Sequence, residues 1–424
     1  MMNVIDRISD LSMLWKQAST VFPYFDRRDL DWDETYREFL PRVIAAEEER
    51  EFHLLLAEFM NRLGDGHTDY LFPKQLIEEN GFLPFALKFI DDRYYLQAIE
   101  KSGEEHLLAE VLSINGTNFR DLLAEAFRYI YHVGNYAYPN KLNQILPFLL
   151  NKTDNEMITD RGIYRFDLAE TKPELVKCGE LKASKAYEDM TEGRLDIRLY
   201  EGGILYARMD DCLYSGAADE IAEVLKRISG LKGVILDLRE NIGGMTMFGA
   251  KVAELFISGI FHVCKKRTRL VRGIDVAVAS QFGWNSKERT EKDTGYFDEY
   301  LNDFGGPDHR CSTECPCVIL TSRNTISAAE DVVAIFLSSD HRATRIGTPT
   351  HGSTGTPMLL SLSCGGGARV CSVGYQLMDG TEFIGVGIVP DILMENRIED
   401  VRAGRDRVLE TAIGYLLAEG KALC

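Results

Sequence analysis

Strand and helix patterns alternate along the C-terminal half of this 424-residue sequence, and the alternation predicts an α/β layered domain. Three stretches carry that prediction. GVILDLR (233–239) and CVILTS (317–322) are short apolar runs of the kind buried in a sheet. GAADEIAEVLKRIS (216–229) repeats its apolar residues at helical spacing. LDLRENIGG (236–244) runs a strand straight into a double-glycine turn.

Taken in order, residues 4–64 are expected to be helical. Phe52, Leu55, Leu56, Phe59, Met60 and Leu63 recur three and four apart, and DLDWDETYREFL places Asp and Glu in a first turn, where they suit the helix dipole. The block ends at LGDGHTDY, where two glycines break the pattern. FALKFI, RYYLQAI and AEVLSING then suggest short strands, and FRDLLAEAFRYIYHV a helix. Residues 136–195 show no clear period and are expected to link or brace two domains. Beyond them come the strands RLDIRLY and GGILYARM, the helix GAADEIAEVLKRIS, the strand GVILDLR and the helix MFGAKVAELFIS. An insert at 262–312 is followed by CVILTS, a helix over 328–338, the strand ATRIGTP and a C-terminal helix from Val401. The expected divisions are 1–74, 75–135, 136–195 and 196–424.

The composition, 45% hydrophobic and 27% charged, is that of a soluble globular protein. The formal net charge of −18 argues against nucleic acid or an anionic membrane as partner. Met1–Lys16 carries Asp6, Arg7, Asp10 and Lys16 and has no signal-like apolar core, and no segment approaches a membrane span. A cytoplasmic location is expected, an extracytoplasmic one requiring a leader removed from this chain. The nine cysteines, an odd number, fit reduced thiols. His309, Cys311, Cys315 and Cys317 could hold zinc by type, but their spacing matches no common ligand pair and Cys317 opens a strand, so no metal is expected.

Three loops hold residues suited to chemistry. Ser327 opens the helix after CVILTS, where free backbone N–H groups could stabilise an oxyanion and the small Ala328 and Ala329 would admit a carbonyl. The competing reading is a helix cap, with Glu330 completing a capping box. The Gly243–Gly244 turn could offer a second N–H, or be a plain strand-to-helix connection. His67, between Gly66 and Thr68, could be a base or a solvated loop residue.

Together and in this order, these stretches resemble the serine peptidase family of tail-specific (C-terminal processing) proteases and the tricorn protease core. VILDLRENIGG resembles its strand–turn signature, TISAAED its nucleophile segment, and RIGTPTHGSTG and GVGIVPDI two later signatures. LGDGHTDY is similar to the branch holding tricorn and the interphotoreceptor retinoid-binding proteins.

The resemblance implies a crotonase- or Clp-protease-like core of stacked strand–strand–helix units, a helical N-terminal cap and a small PDZ-like module containing AEVLSINGTNF. It implies Ser327 as nucleophile, with an oxyanion hole from Ala328 and from Gly243 or Gly244. Tail-specific members use a lysine where this chain has Ser353, and no lysine lies between Lys292 and Lys421. The histidine of the tricorn-like branch carries over onto His67, with His351 a rival. The orienting glutamate of that branch falls at Ile384. Glu382, two residues earlier, would share its face in a strand, while Asp65 and Ser353 compete for the role.

The activity implied is hydrolysis of peptide or protein substrates through an acyl-enzyme, with no metal or organic cofactor and the oligomeric state open. The alternatives are a catalytically decayed member that binds a hydrophobic ligand or peptide, and a scaffold working through the PDZ-like region.

Overall fold

The computed structural model describes residues 3–269, 297–339 and 343–422. They pack as two compact units, the first from 3–179, 267–269, 297–298 and 355–374, the second from 180–266, 299–339, 343–354 and 375–422. The expected division at 196 therefore differs from the packing, since 355–374 joins the N-terminal unit.

In the first unit, three helices span Val4–Val21, Trp32–Ala45 and Glu49–Asn61. Asn3 and Asp31 cap the first two through side-chain oxygens that accept from Asp6 and Glu34 amides. The third is tied in by aromatic packing, with Trp32 stacked on Phe59 at 4.3 Å. The hairpin Phe85–Ile90/Arg93–Ile99 follows, then a four-stranded sheet in the order Thr117–Asn118, Val111–Ile114, Asn155–Thr159, Gly162–Phe166.

Leu87, Leu96, Ile114, Leu123, Met157 and Phe166 share one apolar cluster. Much of the expected connector 136–195 is thus core structure. Its pattern is hidden because the inward positions of Asn155–Thr159 include Asn155 and Thr159 themselves, both buried. The expected helix after Asn118 stops at Ala126, and His132–Val133 instead pairs with Tyr136–Ala137 across Gly134 (φ +57°). A third sheet joins Asp69–Leu71 to Gly367–Cys371 and that strand to Pro357–Ser361, all antiparallel.

The second unit is α/β, as the alternation predicts. Its seven-stranded sheet runs Tyr187–Asp189, Asp196–Tyr200, Ile204–Arg208, Gly233–Asp237, Cys317–Thr321, Thr344–Gly347, Ile392–Leu393. The first two pairings are antiparallel and the other four parallel. Every residue of Gly233–Asp237 and Cys317–Thr321 is buried, which is why both read as unbroken apolar runs. Val408, Leu409, Ala412, Ile413 and Leu416 of the C-terminal helix cover one face, against Tyr206, Ile235, Val318, Leu320 and Ile346. Among the described residues no helix is long and apolar enough to cross a membrane.

Candidate active site

The parallel strands Gly233–Asp237 and Cys317–Thr321 lie side by side, so their C-terminal ends deliver LRENIGG and SRNTIS to the same edge. Three bonds stitch the two turns together. Thr325 Oγ1 donates to the Leu238 carbonyl (2.8 Å), the Ile326 amide donates to the Asn241 carbonyl (3.1 Å), and the Ser322 hydroxyl donates to the Arg239 carbonyl. Arg239 anchors its turn from below. Its guanidinium is held by the carboxylates of Asp237 (2.6 Å) and Asp406 (2.8 Å), and Tyr206 donates to Asp237 (2.8 Å).

Ser327 stands at the start of the helix Ala328–Ser338 with φ +60° and ψ −129°. L-residues avoid this region, which favours glycine, and they persist there only where neighbours over-determine the geometry. An ordinary cap residue is extended, so the backbone separates Ser327 from a plain cap. A capping box with Glu330 is nonetheless present, the Ser327 amide reaching Glu330 Oε2 at 3.4 Å while it also donates to the Ser353 carbonyl at 2.9 Å.

Gly243 (φ +87°) is required by contact as well as by conformation. A Cβ there would come within 2.5 Å of Ser327 Cβ and 3.1 Å of the Ala328 nitrogen. The Gly243 amide donates to Asn241 Oδ1 at 2.9 Å, which removes it as an oxyanion donor. The amides of Gly244 and Ala328 donate to no group among the described residues.

The loop after Thr344–Gly347 is fastened to the helix Ala328–Ser338 by one carboxylate. Glu330, fully buried, accepts from Thr350 Oγ1 (2.5 Å) and the Gly352 amide (2.8 Å) at Oε1, and from the Ser353 amide (2.8 Å) at Oε2. Burial pushes its carboxyl up to about 7 against these bonds. Next to it, Asp331 accepts from Thr246 (2.5 Å) and Thr354 (2.9 Å), with the buried Lys266 ammonium acting on it through space. Neither carboxylate's wider role is legible in the sequence, where Glu330 reads only as a box residue.

His351 is buried and donates from Nδ1 to the Arg323 carbonyl (3.2 Å); burial pushes its imidazole down to about 4, which makes it a weak base. Ser353 is buried too, its amide and carbonyl both engaged by the nucleophile helix. Glu382 does not lie in a strand. It is exposed in a loop and accepts from Gln376 Nε2 at 2.7 Å, so the two-residue strand periodicity does not apply to it.

His67 belongs to the first unit, in a turn pinned at both ends. The Asp65 carboxylate accepts from the His67 amide (3.2 Å) and the Thr68 hydroxyl (2.7 Å), and Thr68 Oγ1 accepts from the Cys371 amide (3.0 Å). Asp65 thus engages the backbone of His67 and not its ring, which removes it as the orienting group. Burial raises the Asp65 carboxyl above the usual range. Gly355 packs beside His67, where a Cβ would lie 3.4 Å from that of the histidine.

Among the described residues no three His, Cys, Asp or Glu side chains gather as metal ligands. His309 Nε2 donates to the Glu254 carbonyl (2.8 Å) and Cys315 Sγ to that of Leu231 (3.4 Å).

Residues 200–394 match the model of peptidase family S41, and residues 6–61 match that of the tricorn protease C1 domain. Among curated relatives, the carboxy-terminal-processing protease of Bartonella bacilliformis is 28% identical over 214 residues, 49% of this chain and 43% of its own length. The carboxyl-terminal-processing protease of Synechocystis sp. is 26% identical over 185 residues, 43% of this chain and 36% of its own. The chain spans less than half the length of these relatives.

Among solved structures, mature CPAF is similar with a TM-score of 0.75 and 15% identity, covering 99% of this chain and 97% of that one. The photosystem II D1 C-terminal processing protease has a TM-score of 0.50 and 15% identity, covering 92% and 93%. At such identities the likeness shows a shared fold. Within the stretch that matches the S41 model lie Ser327, the Gly243–Gly244 turn, His351, Ser353 and Glu382, while His67 precedes it.

Proposed function

We propose that this chain is a serine peptidase that hydrolyses peptide bonds in peptide or protein substrates through an acyl-enzyme. The observation that carries the reading is the backbone of Ser327, held in a glycine-like conformation between two amides without partners inside the stretch that matches the S41 model. Ser327 Oγ attacks the scissile carbonyl while His67 takes its proton, and the oxyanion is met by the Ala328 and Gly244 N–H groups. As the tetrahedral intermediate collapses, the C–N bond breaks and His67 returns the proton to the leaving amine. Water then adds to the acyl-enzyme by the same steps and frees Ser327.

His67 is preferred to His351 because the latter's imidazole is committed to a carbonyl and held neutral by burial. With no strand at 382, the role of Glu382 as orienting carboxylate rests on the family likeness alone. The crotonase-like description of the core, and PDZ-like and cap roles for the two parts of the first unit, rest on the family likeness.

A fluorophosphonate probe tests the assignment directly. Stoichiometric labelling at Ser327, abolished in Ser327→Ala and His67→Ala but retained in His351→Ala, is the expected result. Saturable binding of an apolar ligand with no labelling would instead identify a decayed binding protein.

A further inference from the structure

We propose that Glu330 is a positioning residue whose ionised carboxylate holds Ser327 in its reactive conformation, so that the nucleophile is competent only while Glu330 is unprotonated. The inference rests on the serine peptidase reading above and extends it to a group that touches neither substrate nor base.

The geometry is specific. Four donors converge on one carboxylate: the Ser327 amide (3.4 Å), the Ser353 amide (2.8 Å), the Gly352 amide (2.8 Å) and the Thr350 hydroxyl (2.5 Å). Thr350 Oγ1 also accepts from the Ile388 amide at 2.7 Å, which holds the hydroxyl in place beside the carboxylate. Glu330 is 0% exposed, and no Lys or Arg pairs with it among the described residues. Only an ionised carboxylate satisfies four donors at once. A carboxylic acid would bring its own O–H into a ring of donors, and at least one of them would have to turn away. Two of the donors belong to Ser327 and to Ser353, whose carbonyl is the other partner of the Ser327 amide. The strained backbone of Ser327 is over-determined by these bonds, so loosening them lets it relax.

The surroundings set the proton affinity. Asp331, on the same helix, opposes ionisation, and the Cys264 thiol also faces Glu330. The Lys266 ammonium acts on Asp331 and tempers its effect. The loop Thr350–Ser353 brings His351, held neutral, and residues 383–388 bring no ionisable side chain. Burial places the Glu330 carboxyl close to neutrality, inside the working range of a histidine base.

The test follows fluorophosphonate labelling of Ser327, in which the Oγ–P bond forms as fluoride leaves, from pH 5 to 9. In the wild type the acid limb is expected to fall with two protons, one on the base and one on Glu330. In Glu330→Gln the limb is expected to fall with one proton, and the plateau rate by about 100-fold. Thr350→Val, which removes one donor and leaves the carboxylate, is expected to move the acid limb to higher pH and serves if Glu330→Gln does not fold. A Glu330 with a merely structural role would leave the wild type itself with a one-proton limb. Wild-type labelling with Glu330→Gln unchanged in plateau and slope, or Thr350→Val unchanged in its limb, overturns this inference alone. Wild type that never labels at Ser327 overturns the peptidase reading and this inference with it.

Discussion

At Gly243 a single hydrogen atom decides whether the site can exist. Its φ of +87° is open to glycine, and an added methyl would meet Ser327 Cβ at 2.5 Å and crowd the Ala328 nitrogen at 3.1 Å. Gly243→Ala must therefore push the turn away from the nucleophile or strain both. Losing one oxyanion donor costs about 100- to 1,000-fold in turnover, and a loss of that size is expected in the labelling rate of Gly243→Ala. The backbone strain should lower stability by only about 1–3 kcal/mol, so the melting curve should stay cooperative. A variant that labels normally would show that the turn is not part of the oxyanion site. Sequence reading left Gly243 and Gly244 as equal donors. The choice falls to Gly244 because the Asn241 side chain folds back to take the Gly243 amide, a local contact that no pattern of residue types announces.

At the scale of elements, the strands and helices most legible in advance are those whose burial is uniform or one-sided. Gly233–Asp237, Cys317–Thr321 and the helix Ala217–Arg227 are of this kind. Asn155–Thr159 was not legible because it turns Asn155 and Thr159 inward, with Asn155 satisfied by Asn115 and Asn151. Position in sequence also misleads. Pro357–Ser361 and Gly367–Cys371 look like a continuation of the C-terminal core but form one sheet with Asp69–Leu71, which pairs with Gly367–Cys371, and long-range pairing leaves no local trace. The nucleophile loop is legible as a motif, whereas its fastening by Glu330 and Asp331 joins residues about twenty positions apart and leaves no local pattern. A strand end also needs a foundation, and Arg239 provides it. Arg239 donates to Asp237 and Asp406, and its charge holds the Asp406 carboxyl below the usual carboxylate range even though burial opposes this. Breaking a buried pair by removing one partner costs about 3–5 kcal/mol. Asp406→Ala should therefore lower stability by that amount in denaturant unfolding, with labelling of the surviving folded fraction near normal. A loss below about 1 kcal/mol would mean the pair is solvated and weak.

For the whole molecule, the nucleophile loop carries two buried groups whose protons pull stability in opposite directions. Glu330 is raised from 4.5 to about 7, so its neutral form suits the fold better, and the stability it contributes is full below pH 4.5 and lost as pH rises through 7. His351 is lowered from 6.5 to about 4, so its contribution is full above pH 6.5 and lost as pH falls through 4. Each shift is worth about 3 kcal/mol, with opposite sign over nearly the same interval. The wild type should accordingly show a flat stability profile between pH 4.5 and 6.5 from this pair. Glu330→Gln removes one arm and should expose the other, so that its melting temperature falls on acidification across that interval while the wild type holds. His351→Gln should do the reverse and grow more stable as pH drops from 7 to 4.5. Scanning calorimetry of the three proteins across that range measures all of this directly. Parallel profiles would mean that the two groups are not buried in the folded protein, and would remove the physical basis for preferring His67 over His351 as base.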